Sequence, residues 1–297
     1  MIPFPQKIRG LLRKIHYSLF KTIYPLGHYY SPIISKREIL KREQQIFNID
    51  QKKTKGVDLN EPEQLKLLKQ LVGYYEELPF TDNKKSGLRY SYNNIFYSYS
   101  DAIFLYCMLR HFKPKRVIEI GSGFSSAVML DTNEYFMDNK IQCIFIDPDS
   151  DRLLSCFKIN DRENHKIIKT YVQDVDLDLF SQLQENDILF IDSSHVAKTG
   201  SDVNFILFDI LPRLKKGVLI HFHDIFYPFE YPKKWALEGR SWNEAYLLKA
   251  FLSYNFKYKI ILMNTFLEYY HEGWFAQNMP LCLKQKGGSI WFTSGPT

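Results

Sequence analysis

The fold of this chain is decided by residues 117–126, Val-Ile-Glu-Ile-Gly-Ser-Gly-Phe-Ser-Ser. A short β-branched run ends at Ile120, the turn Gly121-Ser122-Gly123 follows, and the next residues are compatible with a helix. Glycines in such a turn let the backbone bend tightly and approach a ligand, and the following helix offers its N-terminal amides. The pattern predicts a strand–turn–helix unit that binds a ligand at the end of the strand.

Strand-like and helical segments alternate from residue 116 onward. The predicted strands span 117–120, 141–146, 167–172, 187–191, 217–222, 258–263 and 289–293. Helices are predicted over 101–111 and 202–214. Alternation of this kind predicts an α/β fold with a mainly parallel sheet that helices cover on both faces.

The composition suits a packed, reduced protein. Hydrophobic residues make up 45% of the 297 residues and charged residues 24%, which favours a folded core over disorder. None of the four cysteines belongs to a CxxC pair, so a zinc site or a disulfide framework is not expected. The sequence holds no run of 18 apolar residues, and cations interrupt the first 14 positions where a signal core would lie. We therefore expect a cytoplasmic protein.

The positive charge lies in the N-terminal segment. Seven Lys or Arg residues precede the first acid, Glu38, and these seven exceed the surplus of +6 for the whole chain. The remainder is close to neutral, so a nucleic-acid partner is not expected. Within residues 7–23 the apolar positions follow the spacing of one helix face, namely Ile8, Leu11, Leu12, Ile15, Leu19 and Ile23. Two interpretations stay open: a helix packed on the body or on a second subunit, and a peripheral membrane contact.

Acidic residues follow three successive predicted strands, at the edge where parallel sheets bind ligands. Glu119 lies two residues before Gly121, where its charge would disfavour a pyrophosphate and favour a cationic cofactor. Asp147 ends the second strand, 24 residues after Gly123, and can accept both ribose hydroxyls. Asp174 follows the third strand and can reach an adenine amino group. Together these acids predict a nucleoside cofactor that is cationic and carries no phosphate.

These motifs resemble those of the class I S-adenosylmethionine-dependent methyltransferases. The stretches that carry the resemblance are 119–126, 145–147 and 187–195. The narrower likeness is to the methyltransferase domain 24 group, whose relatives include macrocin O-methyltransferase-like and cephalosporin hydroxylase-like proteins. The resemblance implies a Rossmann-like, doubly wound sheet of seven strands, mostly parallel with one antiparallel strand. It also implies S-adenosylmethionine as the cofactor.

The resemblance covers roughly residues 90 to 295 and therefore divides the chain. We expect a class I methyltransferase domain over residues 90–297, preceded by an N-terminal extension over residues 1–89 that is basic, amphipathic and helical. Within the extension, residues 35–80 are predicted to be helical. By resemblance, the cofactor-binding residues are Glu119, Gly121, Ser122, Gly123, Ser125, Ser126, Asp147, Asp174 and Asp192.

The reaction side of the site is expected at the ends of the fourth and fifth strands. Asp192-Ser-Ser-His195 ends the fourth strand, and His221-Phe-His-Asp224 ends the fifth. In an open parallel sheet these two tips are adjacent, beside the cofactor crevice. Aspartate and histidine there can orient a hydroxyl, take its proton or bind a divalent cation. We therefore predict that the catalytic residues are Asp192, His195, His223 and Asp224.

Two mechanisms stay open at this point. In the first, Asp192, His223 and Asp224 hold a divalent cation (Mg, Mn or Ca), since two carboxylates so close would otherwise repel each other. In the second there is no metal, Asp192 binds the cofactor, and His195 or His223 serves as the base. His221 is expected to point to the face opposite His223 and to pack structurally.

The segment 226–246 leads out of the fifth strand and is long and aromatic, which is typical of a lid or an acceptor-binding loop. Its Arg240 can pair with an anionic group of the acceptor, or form a salt bridge to Glu238 or Glu244.

The predicted reaction is methyl transfer to a small polar acceptor, a hydroxyl of a sugar or another metabolite. The alternatives are a metal-dependent, hydroxylase-like enzyme on the same fold and a non-catalytic adenosylmethionine-binding module. A dehydrogenase that uses NAD is a further alternative, and both Glu119 and the serine at position 126 argue against it. The oligomeric state is not predicted.

Overall fold

The computed structural model describes Ile15, Leu19, residues 23–50 and residues 52–295. These residues form two compact units. The smaller unit takes its described residues from 15–50 and 231–242, and the larger from 52–230 and 243–295.

The larger unit contains a sheet of seven strands. They are β1 Arg116–Ile120, β2 Gln142–Ile146, β3 Lys166–Ile168, β4 Ile188–Ile191, β5 Leu219–His223, β6 Tyr258–Met263 and β7 Ser289–Ser294. All seven were predicted from the sequence. The third is shorter than predicted, because residues 172–174 turn into a 3₁₀ helix.

The strand order is β3-β2-β1-β4-β5-β7-β6. The pairs β1–β2, β1–β4, β2–β3 and β4–β5 are parallel, and β7 runs antiparallel to both β5 and β6. This confirms the predicted doubly wound, Rossmann-like sheet with one antiparallel strand. The order reverses between β1 and β4, and sheets of this type bind their ligands beyond the strand ends at such a reversal.

Helices flank the strands in sequence. They are α1 Lys36–Lys41, α2 Glu43–Ile46, α3 Glu61–Tyr75, α4 Tyr99–Phe112, α5 Phe124–Phe136, α6 Asp151–Cys156, α7 Asp161–Asn164, α8 Asp178–Ser181, α9 Asp202–Phe205, α10 Lys233–Glu238, α11 Glu244–Leu252, α12 Asn264–Tyr270 and α13 Glu272–Asn278. Residues 100–109 of α4 and 125–133 of α5 are buried throughout. Among the described residues, no helix is both long enough and apolar enough to cross a membrane.

The predicted helix over 202–214 is not one α-helix. After α9, residues 206–210 form a π turn and residues 211–213 a 3₁₀ turn that contains Pro212. Proline has no N–H to donate and clashes with the preceding turn, so a regular α-helix does not pass through it.

The segment ahead of residue 90 belongs in part to the larger unit. Helix α3 buries Leu67, Leu68 and Leu71. Its buried Gln64 accepts a hydrogen bond from the backbone N–H of Met263 (2.7 Å), which ties α3 to the end of β6. The boundary between residues 89 and 90 stays a prediction.

Candidate active site

A cleft of about 380 Å³ opens beyond the C-terminal ends of the parallel strands. Its walls include Gly121, Asp147, Gln173, Asp192, Ser193 and Lys198. These residues follow β1, β2, β3 and β4, so the cleft lies at the reversal of strand order, where ligands are expected.

The turn after β1 requires a glycine at its first position. Gly121 has φ +78°, and a Cβ there would lie 2.0 Å from the backbone oxygen of Asp192. The backbone N–H of Gly121 also donates to the carbonyl oxygen of Ile146 (2.9 Å). Only glycine combines this conformation with so close an approach of the β1 and β4 tips.

Glu119 is buried beneath this turn. Its carboxylate accepts hydrogen bonds from the hydroxyls of Ser125 and Ser126, and the Ser126 hydroxyl accepts one from the backbone N–H of Gly123 (2.9 Å). Burial raises the pKa of Glu119 to about 8. These contacts hold the start of α5 against β1, and Glu119 is absent from the cleft wall. Its contact with a cofactor, like those of Ser125 and Ser126, stays a prediction.

Asp147 lies at the cleft, where the sequence predicted a ribose contact. Its Oδ2 accepts hydrogen bonds from the backbone N–H (2.8 Å) and the hydroxyl (2.9 Å) of Ser122. Its Oδ1 accepts one from the backbone N–H of Asp149 (2.8 Å). The carboxylate is therefore held in a fixed orientation across the β1 and β2 tips.

Gln173, and not Asp174, lines the cleft beyond β3. Asp174 is exposed, whereas Gln173 is partly buried and its side-chain amide donates to the carbonyl oxygen of Gly200 (2.9 Å). Its Oε1 is buried and has no hydrogen-bond partner among the described residues. Gln173 was not predicted from the sequence, where only carboxylates pointed to the cofactor, although an amide oxygen can also accept a bond from an adenine amino group.

The tips of β4 and β5 bring together a cluster of Asp192, His195 and Asp224. One ligand atom from each of the three lies within 4.8 Å of the others. His195 Nε2 is 3.3 Å from Asp192 Oδ1 and 3.6 Å from Asp224 Oδ2. His195 and Asp224 have φ angles of +59° and +56°, a conformation that costs non-glycine residues energy and is concentrated at functional sites.

Glu244 is a further member of this site that the sequence analysis did not single out. Its carboxylate is fully buried and lies 2.8 Å from His195 Nδ1 and 2.7 Å from the hydroxyl of Ser193. The first residues of α11 also hold the loop, because the backbone N–H groups of Asn243 and Glu244 donate to the carbonyl oxygen of His195. No local pattern links residues 195 and 244, which the fold alone brings together.

Charges within the cluster displace its pKa values from their usual ranges. Burial raises the pKa of Asp224 to about 6. Burial also acts on Asp192, but the hydrogen bond from His195 and the neighbouring His223 hold the pKa of Asp192 below its usual range. Burial opposes the charged form of His195, yet its contacts with Asp192 and Glu244 raise the pKa of the imidazole well above its usual value.

His223 lies next to the cluster. Its Nε2 is 3.7 Å from Asp224 Oδ1, and its ring centroid is 5.0 Å from that of Tyr97. The donor atoms that lie close enough together to share one ion belong to Asp192, His195 and Asp224. The sequence predicted His223 as the third ligand instead of His195.

The prediction that His221 faces away from His223 is wrong. Their rings stack on the same face of β5 with centroids 5.9 Å apart, since residues two apart along a strand share a face. His221 is buried and also stacks on Phe190, with centroids 4.0 Å apart.

Within the aromatic segment, Arg240 takes the salt-bridge alternative. Its Nε lies 3.4 Å from Glu238 Oε2, and the guanidinium stacks over the ring of Trp235. Glu244, the other partner considered, is bonded to His195 and Ser193.

Comparisons with known proteins agree with this architecture. The family model described as "Methyltransferase domain" matches residues 118–225. An uncharacterized protein of Archaeoglobus fulgidus is 38% identical over 170 residues, which is 56% of this chain and 76% of that protein.

Among solved structures, the similar ones are remote. The methyltransferase PaMTH1 of Podospora anserina, solved with SAH bound, is 16% identical, with a TM-score of 0.44 over 90% of this chain and 99% of that one. The O-methyltransferase TomG of Streptomyces achromogenes, solved with SAM, is 10% identical, with a TM-score of 0.42 over 88% and 97% of the two chains. A CmcI structure is 19% identical, with a TM-score of 0.36, and this chain spans 57% of its length.

The domain match covers β1 through the end of β5, and it therefore includes the glycine turn, the cleft and the cluster. With this match, residues 118–225 are a methyltransferase domain, which confirms the resemblance to the class I methyltransferases that the sequence motifs showed.

Proposed function

We propose that this protein transfers the methyl group of S-adenosylmethionine to a hydroxyl of a small polar acceptor. One observation carries the proposal: Asp192 belongs both to the wall of the cleft and to the cluster with His195 and Asp224. A ligand that fills the cleft therefore ends beside a group of acids and imidazole that can receive the acceptor.

The cleft offers suitable contacts for an adenosine group. The Asp147 carboxylate can accept hydrogen bonds from the ribose hydroxyls, as in other sheets of this type. The buried Oε1 of Gln173 can accept one from the adenine amino group. The methionine part then extends along the cleft wall past Gly121 towards Asp192.

Methyl transfer is a direct displacement. The acceptor oxygen forms a bond to the methyl carbon while the carbon–sulfur bond breaks. The electron pair of the broken bond stays on sulfur, which becomes a neutral thioether. Alignment supplies much of the rate, and the proton of the hydroxyl must leave. The Asp224 carboxylate, with a pKa of about 6, can take that proton near neutral pH.

The cluster also fits a divalent cation. Two carboxylates and one imidazole are ligands that manganese, iron or zinc accept, and magnesium or calcium would use the carboxylates. The raised pKa of Asp224 reflects burial beside a second acid, a situation that a cation would relieve. Asp192, His195 and Asp224 would hold the ion, which when bound lowers the pKa of an acceptor hydroxyl.

Two measurements test the proposal. Calorimetric titration should show that S-adenosylmethionine and its demethylated product bind, whereas NAD does not, and an absence of binding would exclude the assignment. Turnover is then measured after exhaustive chelation and after metal is added back. A loss that metal restores supports the cation, while undiminished turnover in chelator leaves Asp224 and the histidines to handle the proton.

A further inference from the structure

Large apolar side chains are exposed along one part of the smaller unit. Their exposed fractions are 48% for Ile15, 69% for Leu19, 57% for Ile23, 71% for Leu26, 81% for Tyr29 and 62% for Tyr30. Ile15 and Leu19 are helical and Ile23 lies at a bend, and the three follow one another at intervals of four residues in the sequence. Contiguous exposed apolar surface of this kind marks an interaction site more often than scattered residues do.

The aromatic residues that follow are packed against one another, and two of them, Tyr29 and Tyr30, are still exposed. The ring of His28 stacks on Tyr24 (centroids 4.7 Å apart) and on Tyr29 (4.2 Å), and Tyr29 contacts Tyr30 (4.3 Å). Tyrosine combines an apolar ring with a polar hydroxyl, so it is favoured at the boundary between a bilayer and water.

The positive charge of the same segment indicates which kind of partner it binds. All seven Lys and Arg residues that precede Glu38 lie in it or beside it, and Lys36 and Arg37 are exposed at the start of α1. An anionic lipid surface attracts such a segment, and the attraction grows with each basic residue close to the surface. A second copy of the chain would instead bring the same cations together, which disfavours self-association through this face.

We propose that residues 15–30, with the basic residues beside them in the sequence, dock on the surface of an anionic lipid bilayer. The side chains of Ile15, Leu19 and Ile23 enter the boundary between headgroups and acyl chains, Tyr29 and Tyr30 lie at that boundary, and the positive charge of the segment attracts it to the lipid phosphates.

Cosedimentation of the full chain with vesicles tests this proposal. Phosphatidylcholine vesicles with and without phosphatidylglycerol are compared in low and high salt, and binding should require the anionic lipid and weaken in high salt. The double variant Leu19→Glu, Ile23→Glu should bind at least about tenfold more weakly, because two apolar side chains no longer enter the bilayer. The matched control is Ile159→Glu, Phe256→Glu, which alters two apolar residues of the larger unit that are even more exposed and should leave binding unchanged.

Each contrary outcome overturns the proposal. Equal binding to neutral and anionic vesicles would remove the role of the cations. Unchanged binding by the Leu19→Glu, Ile23→Glu variant would show that these apolar side chains do not enter the bilayer. A wild-type dimer in sedimentation velocity that the same variant converts to a monomer, with no vesicle binding, would assign the face to a second copy.

A second, independent observation concerns Glu244, and it rests on the proposed function. Its carboxylate is the partner of His195 Nδ1 at 2.8 Å, while His195 Nε2 points to Asp192 and Asp224. Because a carboxylate without its proton only accepts hydrogen bonds, the ring carries a proton on Nδ1. If the ring turned over, Oε2 of the buried Glu244 would lose this donor, and only Oε1 would keep its bond from Ser193. We infer that Glu244 is a positioning residue, which holds the imidazole so that Nε2 faces the reaction.

Two substitutions test this inference. Glutamine at position 244 can still accept from Nδ1–H, whereas alanine cannot. We therefore expect kcat to fall about tenfold or more in Glu244→Ala and only severalfold in Glu244→Gln, with the Kd for S-adenosylmethionine unchanged within about twofold. Glu268→Gln is the matched control, since Glu268 is also fully buried but bonds Ser100 outside the cluster.

The outcomes separate this inference from the proposed function. Failure of the wild type to bind S-adenosylmethionine would remove the proposed function itself. Binding with full turnover in Glu244→Ala would remove only the role of Glu244. Equal losses of kcat in both variants, matched by equal falls in Tm, would make Glu244 a structural residue.

Discussion

The cofactor side and the reaction side of this site are built differently. At the β1 and β2 tips, Glu119 bonds Ser125 and Ser126, six and seven residues away, and Asp147 bonds Ser122 in the turn after the neighbouring strand, 25 residues away. At the β4 and β5 tips, His195 bonds Glu244, 49 residues away.

The electrostatics of the cofactor side and of the reaction side also differ. On the cofactor side, Asp147 has its own backbone and hydroxyl donors. On the reaction side, two acids and an imidazole share one small volume, and their pKa values move apart. Groups with pKa values pushed apart suit proton transfer, whereas a carboxylate with dedicated donors suits binding. Substitutions on the reaction side should therefore lower turnover, and substitutions on the cofactor side should weaken the affinity for the cofactor.

The largest effect is expected for Asp224→Asn. Asparagine has the same shape and tolerates the positive φ of this position, so the fold should be retained. It cannot take a proton or serve as a charged ligand, so kcat should fall by about a hundredfold or more. The Kd for S-adenosylmethionine should change by less than about threefold, because Asp224 does not line the cleft. A large loss of cofactor affinity would contradict the division between the two sides.

The opposite result is expected for Asp147→Ala. Losing hydrogen bonds to a charged acceptor should cost about 1.5–3 kcal/mol, roughly ten- to a hundredfold in Kd for S-adenosylmethionine. With saturating cofactor, kcat should be nearly that of the wild type. Asp174→Ala is the matched control and should bind within about twofold of the wild type, since Asp174 is exposed. Equal losses in both variants would restore the role that the sequence predicted for Asp174.

A pH-dependent effect is expected for Glu119→Gln. The folded protein keeps the Glu119 proton up to about pH 8, whereas the unfolded chain releases it near pH 4.5, so the wild type loses stability as the pH rises between these values. Glutamine has no such dependence and can still bond both serines. From pH 5 to pH 7, the free energy of unfolding of the wild type should fall by about 2.5 kcal/mol relative to the variant.

Chemical denaturation at both pH values measures this difference. The exposed Glu163→Gln serves as the control and should follow the wild type. Parallel pH curves for the wild type and Glu119→Gln would show that Glu119 is ionised in the fold.

The smallest effect is expected for Gln173→Ala. One neutral hydrogen bond contributes about 1 kcal/mol, so the Kd for S-adenosylmethionine should rise about fivefold. A larger effect with adenosine analogues that keep the amino group than with those that lack it would place Gln173 at the adenine. Unchanged binding would remove it from the cofactor site.

The sequence by itself determined the sheet and its ligand-binding edge. The seven strands are short apolar runs separated by helical segments, and alternation of this kind admits few arrangements other than a doubly wound sheet. The turn at Gly121 and the carboxylate at Asp147 could be read as well, because each follows directly from residues near it in the chain.

Tertiary structure alone decided which side chains meet. Glu244 lies on a helix that no motif connects to His195, and one position along a turn separates the partly buried Gln173 from the exposed Asp174. His195, and not His223, belongs to the cluster, and its backbone is left-handed. The residue type alone does not predict that conformation. Local patterns encode strands and turns because their causes are local, whereas contacts between strand tips and distant helices depend on packing across the whole sheet.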